Sequence, residues 1–496
     1  MRMLKNHLAD TLILISLISL LFSACQPTPQ STTTPPSPIL TTPTNTPQPP
    51  TPQPSPTSTP PLPLNGLQTR YQIDLTVDYY NHNASVSQVI NYTNKTSADL
   101  VDLLLVVSPL YYEGSFSLIQ LSDANDQTIT NFSWEGINLR VPLAPPLKVG
   151  EQITLKLQYK LSFPAREGTF GVAGGQINLA NWYPFIPPYD ETDGWVVEDM
   201  HVVNNFMVGE YLVYESSDFE VNLKFTDRRE NFKIAASAPA TEVDGVLHYQ
   251  LELARTFALS ISEYYVIQEI EQDGVTIRSY VLPGHEASGM AAVEMAAKAI
   301  ALYGELFVPY PRDLFSIIEA EFLHNMEYDG LAFISYGVIQ SHNGTPQTNL
   351  TILTPHETSH QWFFSLVGNN QAREPWLDEA LATYAEVLYY EKYHPEFVQW
   401  WWDNRIDSFS PKGFVNSSIY FPGGYDPYLY AVYLRGARFM QSLREAVGDE
   451  AFFAFLKDYV TSYSYKIATQ QDFFTTLSKH SQVDISSILA EYFMTP

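Results

Sequence analysis

Two histidines and two glutamates lie at a spacing that could hold a metal ion and use it for hydrolysis. An H-E-T-S-H stretch runs from His356 to His360, and Glu379 follows nineteen residues later. On a helix, positions i and i+4 share one face, so both imidazoles can point at a single ion. A catalytic zinc takes three protein ligands and keeps one position for water. The sequence therefore predicts a zinc site of His356, His360 and Glu379. Glu357 is left free as the general base beside the metal-bound water.

Two helices must position these side chains. The first carries the H-E-T-S-H stretch, and the second begins near Pro375 and presents Glu379. The second helix is predicted to be amphipathic, because apolar residues recur on one of its faces. That apolar stripe consists of Leu377, Leu381, Tyr384 and Leu388.

This region resembles the gluzincin aminopeptidases, the family of aminopeptidase N and the leukotriene hydrolases. Their pattern is H-E-x-x-H, eighteen residues, and then a glutamate within W-L-N-E-G. This chain has Asp378 where the family usually has Asn and Ala380 where it usually has Gly. Neither is a ligand position in the family, so the resemblance implies one zinc ion per chain, bound as described above.

The resemblance also implies two residues that act on the substrate. The family motif G-A-M-E-N corresponds here to H-N-M-E-Y, from His324 to Tyr328, and its glutamate, Glu327, would bind the substrate's free α-amino group. The family motif Y-x-K-G corresponds to Y-L-R-G, in which Tyr433 would stabilise the oxyanion of the tetrahedral intermediate. His324 replaces a glycine, which changes the expected shape of the substrate cleft.

Glu386 has two interpretations. It lies seven residues after Glu379 and so on the same helix face. The family often has an acidic residue here, and such a carboxylate could orient a ligand histidine. It could equally be a solvated surface charge, and the sequence leaves both readings open.

Composition limits the class of protein. The chain has 496 residues, 45% of them hydrophobic, which is enough for two to four domains. Its formal net charge is −27, which argues against nucleic acid as a partner, because phosphates require a basic surface.

The amino terminus has the features of an exported lipoprotein. Residues 1–25 have a basic start and an apolar run of signal-peptide length, and they end in small residues before Cys25, the only cysteine. Lipidation of Cys25 would anchor the protein to a membrane, at the cell surface or in the periplasm. Residues 26–64 are rich in Pro and Thr and contain no charged residue, which predicts a disordered stalk.

The remaining chain predicts a multi-domain α+β fold. Residues 65–266 alternate apolar and polar residues between turn signals, which indicates an amino-terminal antiparallel β-rich domain. In residues 267–496 helical spacing takes over. The resemblance implies that this second part is a thermolysin-like catalytic domain, mixed α/β and then helical, and that the large carboxy-terminal helical domain of many relatives is absent.

The predicted function is that of a zinc-dependent aminopeptidase, acting on peptides with a free amino terminus. Two alternatives remain open. A thermolysin-type metalloendopeptidase shares the zinc chemistry but needs no ammonium site, so Glu327 argues against it. A binding protein with a retired peptidase site would usually have lost a ligand or the base, and here all four residues are present.

Overall fold

The amino-terminal part of the described chain consists of β-strands. The computed structural model describes residues 67–494, so the predicted signal peptide and stalk lie outside the described residues. The strands are β1 (Thr69–Asp78), β2 (Asn83–Thr93), β3 (Leu100–Val106), β4 (Phe116–Asp123), β5 (Ser133–Glu135), β6 (Asn138–Leu147), β7 (Gln152–Ser162), β8 (Phe170–Ala173), β9 (Gln176–Leu179), β10 (Tyr189–Asp190), β11 (Gly194–Trp195), β12 (Val202–Val203), β13 (Phe206–Met207), β14 (Ser217–Phe225), β15 (Lys233–Ala236), β16 (Ala240–Val243), β17 (Val246–Ala254) and β18 (Leu259–Ser262).

The largest sheet in this part has seven strands, in the order β16-β17-β14-β1-β2-β7-β4. Two smaller sheets have the orders β15-β18-β9-β8 and β3-β6-β5, and β10–β11 and β12–β13 form two-stranded pairs. Burial alternates along β1, where Tyr71, Ile73 and Leu75 point into the core. The pairing is antiparallel, as predicted, except that β1 and β14 are parallel. The long connection between these two strands removes the hairpin constraint that would impose antiparallel pairing.

The carboxy-terminal part begins with a mixed sheet and continues as helices. The strands are β19 (Val266–Gln272), β20 (Val275–Val281), β21 (Leu314–Ala320), β22 (Met326–Tyr328) and β23 (Leu331–Ser335), in the order β19-β20-β21-β23-β22. The α-helices are α1 (Glu286–Leu306), α2 (Tyr336–Gln340), α3 (Asn349–Ser359), α4 (Trp376–Tyr393), α5 (Val398–Trp401), α6 (Tyr425–Leu429), α7 (Arg435–Val447), α8 (Asp449–Tyr463), α9 (Gln470–His480) and α10 (Ser486–Tyr492). None of the helices within residues 67–494 is long and apolar enough to cross a membrane.

The β-rich region is therefore followed by a helical part, as the predicted fold class requires. The predicted boundary between residues 266 and 267 falls at the first residue of β19, a strand that pairs with β20 in the second part. The described residues all belong to one compact unit. The domain bounds themselves remain predictions.

A buried arginine joins the two parts and fixes the segment that follows the H-E-T-S-H stretch. Arg255 is 3% exposed and donates to four backbone carbonyls. These acceptors belong to Tyr214, Phe364, Leu366 and Lys466. Asp329 accepts from the backbone N–H of Arg255 and from the guanidinium of Arg312. Since a buried guanidinium needs all its partners, these bonds resist any relative motion of the two parts.

Candidate metal centre and substrate cavity

Helix α3 brings the two histidines onto one side. It ends at Ser359, but the next residue, His360, keeps helical dihedral angles (φ −62°, ψ −12°), so the i,i+4 relation to His356 holds. Pro355 removes one helical N–H donor, which a surface helix would tolerate poorly. Almost every residue from Leu350 onward is buried, so tertiary packing stabilises this helix more than local propensity does.

Helix α4 supplies the third ligand and differs from the prediction. All residues from Trp376 to Tyr390 are buried, so the helix is enclosed on every side and is not amphipathic. The acidic residues Asp378, Glu379 and Glu386 therefore lie in the protein interior. Each of these carboxylates has a partner in the metal centre.

The predicted ligand atoms converge. Glu379 Oε2 lies 3.4 Å from His356 Nε2 and 3.7 Å from His360 Nε2. The three ligand atoms are buried and lie within 4.8 Å of one another. Glu379 Oε2 has no hydrogen-bond donor, which would be costly for a buried carboxylate oxygen unless a cation binds it. Two imidazole nitrogens and one carboxylate oxygen are a donor set suited to zinc.

Each histidine donates its other ring nitrogen to a carboxylate. His356 Nδ1 lies 2.9 Å from Glu386 Oε1, and His360 Nδ1 lies 2.6 Å from Asp378 Oδ1. An Nδ1–H that donates to a carboxylate leaves Nε2 with a free lone pair directed at the ligand site. Of the two interpretations of Glu386, the structure favours the histidine partner, because this carboxylate is fully buried. The partnership of Asp378 with His360 was not anticipated.

Glu386 is neutralised by an arginine that sequence reasoning missed. The Arg405 guanidinium makes two bonds to this carboxylate, Nε to Oε2 at 3.0 Å and Nη2 to Oε1 at 2.9 Å. Trp401 Nε1 also donates to Glu386 Oε2, at 3.1 Å. Arg405 lies on a π-helical turn, Trp402–Ile406, which follows α5 directly. No sequence signal identified this contact, because it depends on how the loop after α4 folds back.

Asp378 is bound by an amide instead. Gln371 Nε2 lies 2.7 Å from Asp378 Oδ2 and 3.2 Å from Glu327 Oε1. Gln371 is 4% exposed and precedes α4. His360 is the only basic side chain that pairs with Asp378 among the ion pairs of the described chain. Gln371 was also missed by the sequence analysis.

Glu327 lies on the edge strand β22, facing the metal centre. Its strand is held by the side chain of Gln361, which donates to the Tyr328 carbonyl and accepts from the Gly330 N–H, both at 2.9 Å. Burial raises the pKa of the Glu327 carboxyl to about 8, and Asp378 adds to the rise while His360 opposes it. His324, the departure from the family motif, is exposed and packs against Phe322, with ring centroids 4.7 Å apart and an interplanar angle of 39°.

Glu357 is buried beside the ligands. Its Oε2 atom has no hydrogen-bond partner. Burial raises the pKa of the Glu357 carboxyl to about 7, whereas His356 and His360 lower it. A bound dication would lower it further, because it favours the ionised form. The unpartnered oxygen of Glu357 is therefore available to accept a proton.

Tyr433 lies over the first histidine. It occupies a π-helical turn, Tyr430–Leu434, and its ring stacks on that of His356 at a centroid distance of 6.2 Å and an interplanar angle of 7°. Burial favours the neutral form of Glu379, but the two histidines and the Tyr433 hydroxyl together hold the pKa of Glu379 below its usual value. Tyr428, which the sequence analysis left out of the catalytic set, has its ring 5.8 Å from that of Tyr433 and a buried hydroxyl without a partner.

A cavity of about 100 Å³ opens beside Glu327 and takes its walls from both parts of the chain. The second part contributes Glu327 and Gln371, and the first part contributes Glu210 and several aromatic residues. Burial raises the pKa of Glu210 well above its usual value, and the charges of Glu379 and Glu327 act in the same direction. Glu210 was missed because no motif surrounds it. The aromatic wall from the first part consists of Tyr111, Tyr112, Phe170, Tyr211 and Tyr214.

The fold and the histidine–glutamate centre resemble those of zinc metallopeptidases of the gluzincin class. A sequence profile described as "Peptidase family M1 domain" matches residues 291–492. "Aminopeptidase M1-D" of Oryza sativa subsp. japonica is 24% identical over 250 residues, which are 47% of this chain and 29% of that protein. "Aminopeptidase N" of Lactobacillus delbrueckii subsp. lactis is 25% identical over 300 residues, 56% of this chain and 36% of that protein.

Solved structures show the same fold over most of the chain. An M1 zinc metallopeptidase mutant from Deinococcus radiodurans, bound to a Tyr-Ser-Ala substrate, superposes with a TM-score of 0.58 at 18% identity. The match covers 86% of this chain and 96% of that one. The comparisons therefore support a resemblance to the gluzincin aminopeptidases, peptidase family M1, whose profile matches residues 291–492. The chain spans only about a third of the length of the curated relatives it matches.

Proposed function

We propose that the protein is a zinc aminopeptidase that removes the first residue from peptides with a free amino terminus. The observation that carries the proposal is the position of Glu327 within 4.8 Å of the predicted base and a predicted ligand histidine. A carboxylate this close to the metal centre can bind an ammonium group through a charge-assisted hydrogen bond. Binding the terminal ammonium there would place the first peptide bond next to the metal.

The metal centre would hold one zinc ion per chain through His356, His360 and Glu379. Bound zinc supplies a Lewis acid for the scissile carbonyl and lowers the pKa of a water molecule. Glu357 would accept the proton of the attacking water at its unpartnered oxygen and deliver it to the leaving amine. Tyr433 would donate its hydroxyl proton in a hydrogen bond to the oxyanion.

The products of a long unblocked peptide test the exopeptidase assignment. We expect a ladder of single residues lost from the amino end, identified by mass spectrometry. Acetylation of the amine removes its charge and should slow cleavage strongly. Glu327→Ala should raise KM for free-amine substrates and narrow the difference between free and acetylated substrates. Internal fragments as the first products would instead identify a thermolysin-type endopeptidase.

The oxyanion role of Tyr433 has its own test. Tyr433→Phe keeps the ring that stacks on His356 but removes the hydroxyl. We expect kcat to fall about a hundred- to a thousandfold, since loss of an oxyanion donor is felt in the transition state. Zinc content should stay the same. Normal turnover in this variant would assign the role to another group, for which Tyr428 is a candidate because its ring lies 5.8 Å from that of Tyr433.

We also propose that the protein is exported and anchored through a lipid on Cys25. The support is the signal-like sequence of residues 1–25, which lie outside the described residues. The protein should partition into membranes and be released by detergent but not by salt. Cys25→Ser should abolish this partitioning. A variant that stays membrane-bound after normal removal of the signal would contradict the anchor.

A further inference from the structure

Gln371 connects the two functions of the site, recognition of the amine and ligation of the metal. Its side-chain nitrogen contacts Glu327 and Asp378, and Asp378 in turn accepts from His360. Both neighbours of the amide are carboxylates, which only accept hydrogen bonds when ionised. The amide nitrogen must therefore face them, and its two N–H groups suffice for both bonds.

These bonds act against a strong repulsion. Oxygen atoms of Glu327, Asp378 and Glu379 lie within 4.8 Å of one another, and all three residues are buried. Whenever more than one of these carboxyl groups is ionised, like charges at this distance in a low-dielectric interior push one another apart. Gln371 is the donor shared by two of the three carboxylates, so it opposes the displacement of Glu327 from the metal centre.

The backbone of Gln371 is fixed from the first part of the chain. Asn370 Nδ2 donates to Glu198 Oε1 at 3.0 Å, and Arg373 Nε donates to the same carboxylate at 2.9 Å. Tyr420 donates its hydroxyl to the other oxygen of Glu198 at 3.0 Å. The side chain of Glu198 is 7% exposed, so the acceptor of these bonds to Asn370 and Arg373, which flank Gln371, is buried, although Arg373 itself is exposed.

We propose that Gln371 is a positioning residue that sets the distance between the ammonium-binding carboxylate and the zinc, and so selects the first peptide bond for cleavage. The inference rests on the proposed aminopeptidase function. Gln371 acts through Glu327 on the substrate and through Asp378 on His360. Its loss should therefore affect both amine selectivity and metal retention.

The test is a double-mutant cycle of Gln371→Met and Glu327→Ala. Methionine keeps the length of the side chain but has no donor. In the otherwise wild-type protein, Gln371→Met should lower the preference for free over acetylated substrates about tenfold, mostly through KM, as expected for loss of a bond to a charged group. In the Glu327→Ala background the same change should leave the preference unaltered. An equal loss in both backgrounds would overturn the proposal.

Metal retention gives a readout that does not depend on turnover. Removal of zinc by a chelator, followed without substrate, should be several-fold faster in Gln371→Met because Asp378 has lost a donor. If Gln371→Met does not fold, Gln371→Asn serves in its place, since its shorter amide reaches at most one of the two carboxylates. If selectivity for free amines and the rate of zinc release are both unchanged in a folded variant, Gln371 has only a packing role in its loop and the proposal is wrong.

Asn370→Ala is the matched control. It loosens the same loop but leaves both donors of Gln371 in place, and we expect a much smaller loss of selectivity. If it reproduces the effect of Gln371→Met, anchoring of the loop explains the result and the proposal is wrong. A wild-type protein without any preference for free amines would refute the aminopeptidase function itself, which is a separate outcome.

Discussion

His356 and His360 occupy equivalent places in the metal centre but have different surroundings. His356 is backed by Glu386, whose charge is neutralised by Arg405 and whose remaining lone pairs accept from Trp401. His360 is backed by Asp378, which has an amide neighbour instead of a second cation. Glu386, Arg405 and Trp401 do not line the cavity, whereas the network behind His360 reaches the cavity through Gln371 and Glu327.

The two histidines therefore differ in whether the carboxylate behind them is neutralised by the protein itself. The Glu386–Arg405 pair can be satisfied without any ligand, so it should hold His356 rigid under all conditions. Around Asp378 negative charge accumulates without a lysine or arginine among its described ion pairs. Under the proposed function, the bound zinc and the substrate ammonium would supply positive charge on that side. The four predictions below test this contrast.

The largest effect on kcat is expected at Glu357, which lies between His356 and His360 in the sequence. Glu357→Gln keeps size and hydrogen bonding but removes the base, so kcat should fall about a hundred- to ten-thousandfold. Both histidine networks remain intact, so zinc content, measured on the purified protein, should not change. Loss of zinc in this variant would mean that Glu357 also contributes to zinc binding, in addition to the networks behind His356 and His360.

Glu386→Ala should strongly lower both the stability of the protein and its affinity for zinc, because it removes the carboxylate behind His356. It leaves Arg405 buried without a carboxylate, and we expect a loss of about 3–5 kcal/mol in the free energy of unfolding, measured by denaturant titration. Zinc affinity, measured by chelator competition, should fall about ten- to a hundredfold.

The chain offers a control for Glu386→Ala on the same helix. Glu391 pairs with Arg444 at the surface. Glu391→Ala should cost less than about 1 kcal/mol, as is usual for exposed pairs, and should leave zinc binding unchanged. Equal losses in the two variants would indicate damage to α4 rather than to the backing of His356.

Asp378→Asn should have a milder effect on the His360 side. The amide keeps an oxygen acceptor for His360 Nδ1, and no buried cation loses its partner. We expect zinc affinity to fall about tenfold, at the lower end for residues that orient a metal ligand, with little change in unfolding free energy. If Asp378→Asn lowers zinc affinity and the free energy of unfolding as much as Glu386→Ala does, the two histidine networks do not differ in the way described.

Trp401→Phe should have the smallest effect. It removes one of the donors to Glu386 while Arg405 remains, so we expect a loss of about 1 kcal/mol in unfolding free energy. Zinc affinity should stay within the error of the measurement. A marked loss of zinc would show that Arg405 alone does not hold Glu386 in place.

The parts of the site that the sequence predicts are those that local spacing encodes. His356, Glu357 and His360 lie close together on one helix, so periodicity puts the two histidines on one face, and Glu379 follows near the start of the next helix. Glu327 and Tyr433 were found through motifs of the family. The β-rich first part followed by helices was visible from the change in period along the chain.

The parts that were missed depend on contacts between distant segments. Arg405 reaches Glu386 through a π-helical turn that has no sequence signature, and Glu210 reaches the cavity from the β-rich part. Asp378 was noticed only as a departure from a motif, and its bond to His360 follows from the enclosure of α4. The apolar stripe of α4 suggested an exposed opposite face because periodicity does not report what packs on the polar side.

The shared walls of the cavity have a consequence for how this protein could be altered. The aromatic lining and Glu210 come from residues before 215, whereas the ligands and the base come from residues after 355. If the proposed function holds, substitutions in the first part can therefore change the shape of the cavity without altering the predicted ligands or the predicted base. Conversely, a fragment reduced to residues 291–492 would keep the predicted ligands and base but lose most of the residues that line the cavity.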